Sequence, residues 1–321
     1  SGGTARPRYI QIRGIGELSQ FSGEGAPHFY VGLFLDDINF TGIGGIVLLD
    51  DINQIEIFKG PQSTAFGANA MAGVINIVSA SPSFEKSFTT RFSYGSYNTN
   101  KYSFNINYPL SEKLSSNISF IINKSDGYIK NIFLSDQNSN SKDEMLTKVK
   151  ILYSPKNSTK YIFTHYYINL NNKYDAWTID NNGYNTSSDF QGYDTQKSNA
   201  TSLKSIFDLN TFKIVFITSY SQNKIRYAYD GDWGNNDMWE SSPYYWDPLT
   251  SYYFWDFPDI THRNRDLSSQ EIRLTLNKTL FGLYISKLEE KDYRTGYFFN
   301  GDYDDMLSIF TINNSAVYAK F

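Results

Sequence analysis

DINQIEIFKGPQSTAFGANAMAGVINIVSA, residues Asp51 to Ala80, is the stretch whose reading decides the fold. It opens on a strand-like run, Ile55-Glu56-Ile57-Phe58. Lys59-Gly60-Pro61 ends that run, because glycine permits a turn and proline removes a ladder donor. Small residues follow, Ser63, Ala65, Gly67, Ala68, Ala70, Ala72 and Gly73, and they let backbones approach closely. Val74-Ile75-Asn76-Ile77-Val78 then resumes as a β-rich strand. The pattern predicts two strands joined by a compact, buried crossing.

Outward from this stretch the chain divides in two. Residues 1–81 are rich in Gly, Ile and Ala, with short strands between glycine loops such as Gly14-Ile15-Gly16 and Gly42-Ile43-Gly44-Gly45, and read as a small mixed α/β domain. A phosphate cradle needs a strand, a glycine loop and a helix with a P-loop lysine; that order is absent, so the glycines read as turns and close packing. From residue 82 onward Tyr, Phe, Ser, Asn and Thr dominate and apolar residues alternate with polar ones. In Tyr102-Ser103-Phe104-Asn105-Ile106-Asn107-Tyr108 every even position is apolar, which puts one face in an apolar medium and the other in water. The same alternation recurs at Phe88–Tyr94, at Phe212-Ile214-Phe216 and at Ile272-Leu274-Leu276, where Glu271, Arg273 and Thr275 lie opposite.

The connections alternate in length. Short ones fall at Pro109–Lys113, Ser154–Thr159, Asn210-Thr211 and Asn277–Thr279; long ones run over Ser125–Lys142, Asn171–Lys197 and Asn223–Arg265, and only the first upper loop, Gly95–Asn100, is short. Short turns at one end and long loops at the other are the habit of an outer-membrane barrel, and about ten strands of roughly 9 to 11 residues are predicted. The fold class expected is a mixed α/β domain followed by an all-β antiparallel transmembrane β-barrel wall.

Composition agrees. The 321 residues include 24 Phe, 26 Tyr and 5 Trp. A mean hydropathy of -0.45, with no apolar run near the roughly 20 residues of a membrane helix, excludes a helical membrane protein but not a barrel, in which only alternate residues face lipid. The net charge of -4 offers no basic footprint for nucleic acid. Without cysteine there are neither disulfides nor thiolate metal sites. The three histidines, His28, His165 and His262, lack any H-E-x-x-H or similar spacing, so no metal site is expected from them. The carboxylate pairs Glu289-Glu290 and Asp304-Asp305 have no nucleophile beside them and read as loop or turn charges. No catalytic constellation and no cofactor are expected.

Asp51–Ala80 resembles the end of the plug domain of TonB-dependent outer-membrane receptors, a pattern of IE, two apolar residues and RGP, then a small-residue turn with YG, then GGVINI. Ile10-Gln11-Ile12-Arg13-Gly14 resembles the I-x-I-R-G strand of that family, and Leu33-Phe34-Leu35-Asp36-Asp37-Ile38 its V-x-V-D-G-V strand. The chain departs at Lys59 for Arg, Phe66 for Tyr, Asp37 for Gly and Ala72 for Gly. Of these only Lys59 is expected to touch function. The resemblance implies a plug over residues 1–81, with Gly14, Gly60, Pro61, Gly67 and Gly73 as its motif positions, and a barrel over residues 82–321. It implies further segments on both sides: a signal peptide, a TonB-recognition segment and the first plug strands before Ser1, and strands after Phe321 to bring the total near the roughly 22 of a plugged barrel.

The resemblance also implies function. Arg13 and Lys59 match cations that pair with glutamates on the inner wall and hold the plug until TonB pulls; lysine keeps the charge and loses the bidentate fork. The loops Glu17–Phe29 and Phe40–Gly45 match segments that point toward the substrate, which makes Phe21, His28, Phe29 and Phe40 candidate contacts. The loop Asn223–Arg265 interleaves Tyr227, Tyr229, Trp233, Trp239, Trp246 and Trp255 with Asp230, Asp232 and Asp259. Such a set suits stacking and hydrogen bonding to a ligand and equally suits an interfacial girdle. The partners implied are a TonB-type periplasmic energy-transducing protein, a small ligand such as a ferric chelate, and outer-membrane lipid. Importers of glycans or cobalamin share the pattern. Two other classes remain: a passive porin or adhesin, which needs no plug, and a secreted β-rich carbohydrate-active enzyme, which needs a carboxylate pair across a cleft.

Overall fold

The computed structural model describes residues 10–16, 29–43, 50–61, 71–175, 183–241, 258–298, 302–303 and 306–320. The N-terminal part forms short strands: β1 (Gln11–Ile12), β2 (Ile15–Gly16), β3 (Val31–Leu35), β4 (Ile38–Asn39), β5 (Ile52–Lys59) and β6 (Gly73–Ser79). The last four make one sheet in the order β4-β3-β6-β5, with β3 parallel to β6 and the other pairs antiparallel. The IE strand and the GVINI strand are thus direct neighbours, Ile57 facing Ile75 and Phe58 facing Val74. Glycine is required where they meet. Gly73 has φ +152, and a Cβ there would lie 2.3 Å from the Phe58 carbonyl oxygen.

Ten long antiparallel strands form the second sheet: β7 (Ser87–Gly95), β8 (Thr99–Ser111), β9 (Leu114–Ser125), β11 (Lys142–Lys156), β12 (Thr159–Tyr174), β14 (Gly192–Leu209), β15 (Phe212–Asp230), β16 (Pro258–Leu276), β17 (Thr279–Phe298) and β19 (Met306–Lys320). Each pairs with the next along the chain, leaving β7 and β19 as the two edges. The short pairs β10 (Lys130–Asn131) with β13 (Asn185–Thr186), and β18 (Asp302–Tyr303) with β17, sit in the connections. Helix α1 (Asn236–Trp239) is one turn capped by Asn235, whose side chain accepts the Met238 N–H at 2.9 Å.

The strand count and the alternation of turn lengths agree with the sequence reading; the strand lengths do not. Strands run from 9 to 20 residues, well past the roughly 9 to 11 that cross a bilayer. The long connections shrink accordingly, from Asn171–Lys197 to residues 175–191 and from Asn223–Arg265 to residues 231–257. In β15 the excess carries Ile225 and Tyr227 inward, where they join the core shared with the small sheet.

Outward positions carry the apolar residues. Tyr102, Phe104, Ile106 and Tyr108 are exposed while Ser103 and Asn107 between them are buried, and Phe216, Ile272, Phe281, Leu283 and Ile285 continue the exposed apolar face. Near the short-turn end Tyr153, Tyr161, Phe207 and Phe216 form a ladder across four strands, with ring centroids 6.1, 5.9 and 6.1 Å apart. This is the position of an interfacial aromatic girdle. On the inner face, Leu35, Ile38, Phe40 and Ile77 of the small sheet share one core with Ile121, Leu146, Tyr166, Ile168 and Ala200 of the wall. Gly73→Ala should push β5 from β6 and destabilise the small sheet by roughly 1 to 3 kcal/mol; earlier protease cutting within residues 50–80 of the inserted receptor checks this.

Candidate functional site

The inner sheet meets the wall through two Asp-Asp pairs. The first turns the β3–β4 hairpin. Asp36 and Asp37 have φ of 47° and 66°, a two-residue turn that favours Asn, Asp and Gly because their side chains tolerate the left-handed region. Asp36 is buried. Its carboxylate accepts the Ser79 N–H at 3.0 Å and hydroxyl at 2.6 Å, the Lys150 ammonium at 2.9 Å and the Tyr166 hydroxyl. Burial pushes the Asp36 carboxyl up, but Lys150, Ser79 and Tyr166 outweigh it and hold the group below 3.8. Ser202 adds a hydroxyl bond to the Asp36 carbonyl at 3.1 Å, and Asp37, half-exposed, takes Lys204 at 2.9 Å.

The second pair precedes β5. The Asp51 carboxylate accepts from Ser119 at 2.6 Å, from Asn105 at 3.1 Å and from Lys148, a lysine with 0% side-chain exposure. Asp50 takes Lys101 at 2.8 Å. Lys148 and Lys150 stand two apart on β11, so both point inward, and Ser79 lies between them, 3.1 Å from one and 3.2 Å from the other. Four acidic side chains of the inner sheet thus engage four lysines spread over β8, β11 and β14. Removing one member of a buried pair leaves an uncompensated charge, at a cost of about 3 to 5 kcal/mol, whereas a half-exposed pair contributes about 0 to 1 kcal/mol.

A third contact lies further from the short turns. Arg265 of β16 donates to the Thr41 carbonyl at 2.8 Å, pairs with Glu290 and covers the Phe29 ring, its guanidinium carbon 5.1 Å from the centroid. Arg263 beside it pairs with Asp292 at 2.5 Å. Glu289-Glu290 is therefore no turn: both lie on β17, Glu290 buried inward and Glu289 outward, 2.7 Å from Lys287.

The residues singled out from sequence fall in several places. Arg13, at φ 55°, and Lys59 are exposed, and neither has an ion-pair partner among the described residues. Gly14, Gly60 and Gly73 take positive φ; Pro61 follows β5. Phe29 and Phe40 are buried, Phe40 edge-on to Tyr166 at 6.4 Å. Trp233 is exposed on the outer loop and Trp239 half-buried in α1. Phe21, His28, Gly67, Trp246, Trp255 and the Asp304-Asp305 pair lie outside the described residues. Tyr227 and Tyr229, expected in a loop, lie on β15 facing Tyr174, and Asp259 lies on β16. Asp37, a departure from the family glycine, pairs with Lys204. The lysines and Asp51 drew no notice in the sequence, although Lys148 and Lys150 at i and i+2 among apolar inward neighbours were a legible sign.

An antiparallel wall with apolar residues outside, enclosing a small sheet bound to its inner face, defines the class: an outer-membrane β-barrel with an internal plug. Residues 1–74 match the family model for the TonB-dependent Receptor Plug Domain. The Pesticin receptor of Yersinia enterocolitica is 32% identical over 73 residues, which are 23% of this chain and 10% of that protein. Among solved structures, the ferric yersiniabactin uptake receptor FyuA from Yersinia pestis superposes with a TM-score of 0.72 at 17% identity, over 91% of this chain and 45% of that one. The siderophore receptor PiuA from Acinetobacter baumannii gives 0.68 at 13% identity, over 95% and 50%. The first 74 residues thus match the plug-domain family, the fold is that of these solved receptors over most of the chain, and the chain spans about half their length.

Asp36→Ala should strand Lys150 and loosen the plug by about 3 to 5 kcal/mol, whereas Asp37→Gly, which removes a half-exposed pair but relieves a left-handed aspartate, should change stability by less than about 1 kcal/mol. Denaturant-induced release of the plug in the inserted receptor measures both. The pH dependence has a definite sign. The folded pKa of Asp36 lies below the unfolded one, so its contribution is complete above 3.8 and falls as the pH drops from there through the folded value. Plug release in wild type should therefore steepen below about pH 4, and Asp36→Asn should remove that part of the dependence.

Proposed function

We propose that the chain serves TonB-dependent uptake of a ferric siderophore across the outer membrane, with residues 1–81 as plug and 82–321 as wall. The observation that carries this reading is the plug itself, held in the wall by ion pairs. A passive pore has no use for such an obstruction, and a secreted enzyme has no use for an apolar outer face. The structural relatives, a ferric yersiniabactin uptake receptor and a siderophore receptor, favour an iron chelate over a glycan or cobalamin.

In this mechanism no bond of the cargo is broken. A chelate settles on the outer rim, where Tyr97, Tyr128, Phe133, Tyr184 and Trp233 expose apolar surface; aromatic rings suit a planar or aromatic chelator. A TonB-type periplasmic protein then draws on the plug, and the Asp–Lys pairs yield. Arg13 and Lys59, both exposed, supply further cations by which acidic groups of the wall hold the plug.

The test is radio-iron uptake by cells whose only ferric-chelate receptor is the full-length protein. Uptake of at least one ferric siderophore should occur with the TonB-type partner and stop without it, while binding persists. Iron uptake that ignores the partner, or cobalamin or glycan uptake in place of iron, would overturn the reading. Lys59→Glu should leave the receptor inserted yet admit large antibiotics, and Lys59→Arg should not; sensitivity of the cells to such antibiotics decides it.

A further inference from the structure

We infer that Asp189, Asp230 and Asp232 form a site for a hard divalent cation of the calcium class at the outer rim. β15 ends at Asp230, and the segment after it is docked on the connection between β12 and β14. The Asp189 N–H donates to the Gly234 carbonyl at 2.9 Å, and the Asn235 amide donates to the Ser187 carbonyl at 2.6 Å. At that seam one carboxylate oxygen from each aspartate lies within 4.8 Å of the other two. Asp230 is 6% exposed and Asp232 5%.

Hydrogen bonding does not complete the cluster. Asp230 Oδ1 accepts the N–H groups of Asp232 at 3.2 Å and Trp233 at 3.3 Å, but Asp230 Oδ2 is buried without a hydrogen-bond partner. Among the described residues no lysine or arginine pairs with Asp230. Carboxylates this close repel one another when ionised, and the unpaired buried oxygen of Asp230 is costly. A divalent cation removes both penalties at once. The donor set is oxygen only, with no imidazole or thiolate, which selects a hard ion. Carboxylates supplemented by backbone carbonyls and water match the six to eight oxygens that calcium takes. The ion would fasten the connection 175–191 to the loop that carries Trp233. This goes beyond the transport reading and is independent of which cargo is carried.

Trp239 supplies the probe, since its indole N–H lies 3.3 Å from Asp232 Oδ1. Terbium, a calcium mimic, should luminesce on indole excitation when added to the chelator-treated full-length receptor in detergent. Calcium chloride should quench that emission at lower concentration than magnesium chloride. Asp230→Asn and Asp189→Asn should each weaken terbium and calcium binding about tenfold or more. Trp239→Phe should lose most of the emission yet keep calcium binding by calorimetry. Emission or calcium binding as strong in Asp230→Asn as in wild type, or no stoichiometric calcium binding to wild type at millimolar calcium, would overturn the site. If Asp230→Asn fails to insert, as judged by heat-modifiable migration, Asp189→Asn on the facing segment decides by the same measurements.

Discussion

The salt bridges between Asp36 and Lys150 and between Asp51 and Lys148 are the constraint on which the inner half of the molecule depends. Each joins a turn of the small sheet to the same strand, β11, and Ser79 at the end of β6 hydrogen-bonds to both lysines. The β3–β4 hairpin, the start of β5 and the end of β6 are thereby fixed to one line on the wall. The apolar core formed by Leu35, Ile38 and Phe40 against Ile168 and Ala200 then packs beside that line. The charges set the register of plug on wall, because a buried ion two residues out of place has no partner; the apolar contacts tolerate small shifts and do not.

The wall obeys a second constraint, which comes from lipid. A bilayer leaves no water for backbone groups, so strands must pair along their whole length, and the two edges β7 and β19 are compatible with lipid only when paired. The same medium explains why a chain of mean hydropathy -0.45 exposes Phe88, Phe216 and Leu283 on one face. It also explains why the inward face is free to place Lys148 beside Leu146. Inward positions answer to the plug, and their polarity changes wherever the plug surface does.

This division accounts for what the sequence disclosed. The IE strand, its glycine end and the GVINI strand are local and periodic, and the structure pairs them residue by residue. The short turns were legible because Asn210 and Asn277 take positive φ, where asparagine is favoured. Strand ends beyond the bilayer were not, since Asn171, Asn223 and Arg265 are polar residues that read as loop although they continue the ladder, and Asn223 and Arg265 are buried on its inner side. The site was less legible still. An alternation of polar and apolar residues shows that Lys150 faces inward, but its partner lies 114 residues away, and no local pattern records such a distance. Asp37 illustrates the point from the other side. Read against a family glycine it is a tolerated departure, and only the position of Lys204 gives it a partner.

The polarity of these pairs bears on how a plug can be both secure and removable. An apolar interface resists separation in proportion to the area exposed to water, about 25 cal/mol per Å2, and recovers nothing until it closes again. A buried ion pair behaves differently, because each ion gave up its hydration on assembly and regains it when water enters the gap. In the dry, docked state no water competes for Lys148 and Asp51, and the pair holds position. Once a pull admits water along β11, rehydration of both ions offsets much of the lost attraction. Placing the charges at the turns of the plug, where a displacement would first open a gap, therefore gives a joint that is stiff while dry and yields once wetted.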